Sequence, residues 1–150
     1  MSTNNVLFQI RAAFPAAPIR FEGALSGGLD QAAFRTHVDN KTWRELDRSY
    51  LAKRSDALSF LRPNHLVEVL PVYLESLVED GTRTPVPDTL LLVLNRKGEQ
   101  PFMEIFAALT VAQRMAVVAA LDAFASAETG PSADAAREAS ERWKHAGAVQ

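Results

Sequence analysis

Apolar and polar positions recur with a helical period along most of the chain. Val6, Leu7, Ile10 and Phe14 share one face of a predicted helix over 4–14, and Pro15 ends it. Leu29, Ala33, Phe34 and Val38 form a rougher stripe over 29–38. Between them "PAAPIRFEGALSGG" is a Pro/Gly loop with an extended piece near Ile19 and Phe21. In "NKTWRELDRSYLAKR", Thr42 and Glu45 have the spacing of a capping box, which predicts one helix carrying Trp43, Leu46 and Tyr50 on one side. After a joint at 55–57 comes "ALSFL", and Pro63 then suits the first turn of a further helix.

That helix, "LRPNHLVEVLPVYLESLVED", contains Pro71 among its best core residues. A proline there removes a backbone donor and clashes with the preceding turn, at about 3 kcal/mol. Leu66, Val69, Leu70, Tyr73, Leu74 and Leu77 still face one core if the axis bends at Pro71. The bend reads either as a packing joint or as a kink that shapes a pocket beside Tyr73. Asp80 and Gly81 close the helix, and Asp88 is placed to cap "TLLLVLN", read as helix by its neighbours. "NRKGEQP" is a loop. In "FAALTVAQRMAVVAALDAFASAETG", Thr110 and Gln113 make a second capping box, and Val117, Val118, Leu121, Phe124 and Ala125 make the buried stripe. Residues 132–150 are expected as a loosely docked last helix with one large apolar anchor, Trp143. The sum is an all-α, single-domain bundle of about six or seven short helices, one of them kinked at Pro71.

Composition narrows the functional classes. The 150 residues suffice for one core, and the net charge of −2 gives no basic field for a nucleic-acid backbone. The chain has no cysteine, which excludes a disulfide framework, a thiolate metal site and a thiol nucleophile. No run is long and apolar enough for a membrane span, and the N-terminus lacks a secretory pattern, so a cytoplasmic protein is expected.

Three segments in order, "TWREL" at 42–46, "DALSFLRPNHLVEVLPVYLESLVED" at 56–80 and "FAALTVAQRMAVVAALDAF" at 106–124, carry a resemblance. They are similar to a family of small bacterial proteins of unknown function that share a Trp-x-x-Leu turn, a Phe-Leu-x-Pro…Leu-Pro-x-Tyr-Leu segment and a Phe-x-x-Leu-Thr-x-x-Gln-Arg helix. The similarity covers about 42–124. It implies a helical fold and a bacterial source, and no settled activity.

Chemical motifs are sparse. "GALSGG" at 23–28 lacks the lysine of a phosphate loop and reads as a turn. The pairs His65/Glu68 and Glu141/His145 have helical spacing but no converging carboxylates, so they read as surface pairs rather than a metal site. No serine sits in a nucleophile motif. No catalytic residue, metal or cofactor is therefore predicted.

Charge carries more pattern. Glu68, Glu75 and Glu79, extended by Asp80, fall near one helical face, either solvated or an acidic docking surface for a basic partner. Trp43 and Arg44 join that candidate surface, Trp43 as an anchor only if its indole donor lacks a core partner. The expected function is non-catalytic protein binding, in its concrete form an immunity or antitoxin protein that neutralises a toxin. The alternative is a small enzyme or ligand-binding domain with Arg44, His65 and Tyr73 around a pocket at Pro71. A nucleic-acid regulator using the basic-rich segment 41–62 ranks last.

Overall fold

A computed structural model describes residues 2–20 and 31–148. The glycine-containing turn at 23–28, Phe21 and Leu29 lie outside the described residues. The rest is an all-helical bundle, with nine α-helices and two 3-10 turns among the described residues.

The first helix, α1 (Thr3–Ala13), starts where the Ser2 hydroxyl accepts the Asn5 N–H at 3.3 Å, and it buries Val6 and Ile10. Ile19, beyond the end of α1, is buried and outside any helix. It exchanges two backbone hydrogen bonds with the turn after α2 (Gln31–Val38): its N–H donates to Lys41 O at 2.8 Å, and its carbonyl accepts from Asn40 at 2.9 Å.

The single helix expected from Thr42 is two elements. The capping-box contact forms, with the Thr42 N–H donating to the Glu45 carboxylate at 3.1 Å, but it starts only a 3-10 turn, Trp43–Glu45. Leu46 turns extended, and Asp47 then caps α3 (Arg48–Lys53) by accepting from the Tyr50 N–H at 3.2 Å. A second good cap five residues on competes with helix continuation, because an Asp side chain satisfies its own backbone donor best outside a helix. This split, with the one-turn α4 (Ala57–Phe60), raises the helix number above the expected six or seven.

The centre is α5 (Pro63–Glu79). Pro63 opens it, and the helix continues through Pro71, which is buried with Leu66, Val69, Leu70, Tyr73, Leu74 and Leu77. It packs against α1, α3, α6 (Val86–Leu94), α7 (Glu99–Ala108) and α8 (Val111–Ala127). "LLLVL" is helical as expected, but Asp88 sits in the first turn of α6 rather than at its cap. There its charge still faces the positive end of the helix.

The helices α7 and α8 (Val111–Ala127) meet at 115° across Leu109–Thr110. Both legs of the Thr110/Gln113 capping box are present, at 3.2 Å and 3.0 Å. No single helix among the described residues is long and apolar enough to cross a membrane. The last helix, α9 (Pro131–Ala148), lies along α8 and buries Ala133, Ala136, Ala139 and Trp143. It is a full member of the core rather than a loose tail. The Trp143 indole donates to Leu94 O at 2.7 Å, and its ring meets Phe102 and Phe106 at 5.4 Å and 5.3 Å.

Candidate functional site

The helix α8 is apolar on more of its circumference than one core face requires. Val117, Ala120, Leu121 and Phe124 face inward and are buried. On the other side Val111 and Met115 are 68% and 58% exposed. Val118, Ala119 and Ala123 continue that outer stripe at helical spacing.

This stripe is the floor of an open groove of about 950 Å³. One wall is the start of α1, with Thr3, Val6 and Gln9; the other is α9, with Trp143, Lys144 and Gly147. Small side chains at 119, 123 and 127 make the floor shallow relief rather than ridge, so another chain can approach the helix closely.

Charge sits at the rim and is held in place. The Arg114 guanidinium lies 3.9 Å over the Phe106 ring and donates through Nε to Phe106 O at 2.8 Å. Across the floor, Asp122 accepts from the buried Ser140 hydroxyl and pairs with Lys144 at 3.3 Å. The hydrogen bond to Asp122 is the main cause that raises the Lys144 pKa.

The sequence-derived candidates lie elsewhere: Trp43 and Glu68 line one small hollow at Pro71 and Glu79 and Asp80 share Arg48, but the structure does not gather them all into one surface. Most of the acidic face is already matched by arginines of neighbouring helices, at the surface. Glu75 pairs with Arg11 at 3.2 Å and Glu79 with Arg48 at 2.9 Å. Asp80 accepts from the Ser76 hydroxyl at 3.1 Å and lies 3.6 Å from Arg48. Glu68 is half-buried and accepts the Arg20 N–H at 3.3 Å; burial chiefly, and then Asp39, raises its pKa. Trp43 is not an exposed anchor: it is buried, and its indole donates to Phe14 O at 2.8 Å. Arg44 lies 5.5 Å over the Trp43 ring and donates to Arg11 O at 3.1 Å.

The pocket expected at Pro71 is a hollow of about 220 Å³ between Phe14, Ile19, Trp43, Val67, Pro71 and Gln113. None of Arg44, His65 and Tyr73 lines it. His65 is buried rather than one half of a surface pair. Tyr73 is buried too, and its hydroxyl donates to Arg54 O at 3.2 Å. Glu141 reaches Lys144 at 3.5 Å. Among the described residues, no group of three His, Asp or Glu side chains is arranged to hold a metal ion.

The groove residues Val111, Met115 and Ala119 were missed by reading the chain for one stripe per helix. Their signal was present as a surplus: "VAQRMAVVAALDAFASA" has apolar residues in almost every direction.

Fold and groove together define an all-helical bundle with an open apolar channel along one central helix. Residues 26–146 match DUF6714, a family of unknown function, and the chain belongs to that family. No curated protein and no solved structure matches it.

Proposed function

We propose that this is a non-catalytic protein-binding protein, and that the groove over α8 receives a helical segment of its partner. The observation that carries this is the outer stripe of α8, with Val111 and Met115 well exposed above a floor of Ala119 and Ala123. A stripe at that spacing accepts the apolar face of an amphipathic helix. Methionine suits such a surface because its flexible, polarisable side chain adapts to the shape of a partner. At 17 residues α8 is about 25 Å long, room for about four turns of a docked helix. Arg114 near one end leaves a cation there, whereas Asp122 and Lys144 neutralise each other towards the other end, and this asymmetry favours one direction of docking.

Neutralisation of a toxin by direct binding is the narrower form of this reading. Its support is the compact helical fold and the mild acidity of the chain. The acids of α5 contribute less to it than their spacing suggests, because Arg11 and Arg48 already match them.

The test is co-purification with the products of adjacent genes, comparing the native chain with Met115→Asp and Glu79→Gln. Met115 is exposed, so the aspartate changes the groove and not the core. The Met115 variant is expected to lose the complex about tenfold or more, since a carboxylate buried under an apolar partner is costly. Glu79→Gln is expected to keep it. A complex indifferent to Met115→Asp would overturn the reading. In the toxin form, the native chain relieves growth arrest by the partner and the Met115 variant does not.

The groove volume also lies in the range of small-ligand pockets. Native mass spectrometry of the purified chain separates the two readings: a co-purifying apolar small molecule in place of a protein supports the second.

A further inference from the structure

Arginine is almost everywhere occupied in this fold. Arg11, Arg48 and Arg137 hold carboxylates, and Arg44, Arg83 and Arg142 hold backbone carbonyls. Arg62 and Arg96 are among the few that differ. Neither guanidinium is in an ion pair or hydrogen bond with another described residue. They stand about a quarter of the chain apart in sequence, yet both line one hollow of about 440 Å³ between the α4–α5 joint and the end of α6.

The remaining lining is mainly apolar. Phe60, Leu61 and Pro63 come from the joint, and Leu92 and Val93 from α6; no acidic side chain is among them. Leu92 is 73% exposed, on a helix whose neighbouring residues Leu90, Leu91, Val93 and Leu94 are all buried. The start of α5 opens beside it, and no side chain caps that end, which adds to the positive potential. Two arginines with no counter-charge beside one exposed leucine ask for an anion attached to an apolar body.

We propose that the Arg62/Arg96 hollow is a docking site for a peptide segment in which an acidic residue stands next to a large apolar one. The carboxylate is taken by the two guanidinium groups, whose planar forks match its geometry. The apolar neighbour covers Leu92 and Phe60. The site involves α4, α5 and α6 and shares no lining residue with the groove over α8, so either site can exist without the other.

The probe is a fluorescein-labelled hexapeptide of alternating glutamate and leucine. Its glutamate-to-glutamine and leucine-to-serine counterparts and inorganic phosphate are the comparisons. Binding is read by anisotropy, and its location by amide shifts in isotope-labelled protein. The expected result is shifts confined to residues 59–63 and 92–96, with binding about tenfold weaker in Arg62→Gln/Arg96→Gln. Both counterpart peptides are expected to bind more weakly than the probe, and added salt to weaken the probe. Met115→Asp is expected to leave it unchanged, which separates failure here from failure of the groove. Leu92→Ser gives a second variant at an exposed position, with the same direction expected. Peptide binding that ignores the arginine pair overturns the proposal. So does phosphate that displaces the probe while the leucine-to-serine peptide binds as well as the probe, since the site would then take any small anion. No shift at millimolar peptide also overturns it.

Discussion

Trp143 and Tyr73 show what single residues contribute here. Each buries a large ring and directs one donor to a backbone carbonyl, Leu94 O and Arg54 O. Trp143→Phe keeps most of the ring contact but leaves the Leu94 carbonyl without its partner. It is expected to cost about 1–3 kcal/mol in urea unfolding, less than the roughly 3–5 kcal/mol of Trp143→Ala. Tyr73 adds a pH dependence. Burial, with the Asp56 carboxylate adding to it, pushes its phenol far above the ordinary value. Above about pH 10 the unfolded chain releases this proton and the folded chain keeps it. The stability tied to the neutral phenol is thus complete below that pH and falls as pH rises. Urea midpoints from pH 8 to 11 should drop more steeply in the native chain than in Tyr73→Phe; parallel slopes would refute this. Both residues were legible as apolar anchors from their spacing. Their polar partners were not, because Leu94 and Arg54 lie far off along the chain and meet them only once the bundle closes. The same holds for the acids of α5, whose helical spacing was correctly placed but whose arginines come from α1 and α3.

Elements were read best where the signal was local. The Thr110/Gln113 box, Pro63 at the start of α5 and the proline and glycine stops all act within one turn of chain. The helix expected from Thr42 was misjudged because two local signals, at Thr42 and Asp47, compete for the same backbone. Gly81 offers a test of a joint. It links α5 to the 3-10 turn before α6 with φ of +57°, and a Cβ there would run into the Glu128 carboxylate. Gly81→Ala is expected to cost about 1–2 kcal/mol from the left-handed backbone. Adding Glu128→Ala should recover little, since the flexible carboxylate can turn aside while the backbone strain remains. Full recovery in the double variant would place the cost in the side-chain contact instead.

At the scale of the whole molecule, the all-helical class followed from periodicity, whereas the arrangement of helices did not. Nothing in the tail beyond Trp143 marks α9 as a principal partner of α8, because its small alanines bury little area each and act through close approach. A chain ended at Gly130 would uncover the side of α8 that carries Asp122 and Ala125, and would take Trp143 out of its cluster with Phe102 and Phe106. It is expected to unfold without a sharp transition and to bind a hydrophobic dye. An unchanged cooperative midpoint would show α9 to be an appendage.

The position of α8 has a practical result for anyone seeking its occupant. Its inner side lies in the core, so its amides should already be among the slowest to exchange with deuterium, with little protection left for a bound chain to add. The thioether methyl of Met115 stands outside that shelter. Its carbon-13 resonance, and its rate of oxidation by peroxide, would register an arrival that the backbone conceals.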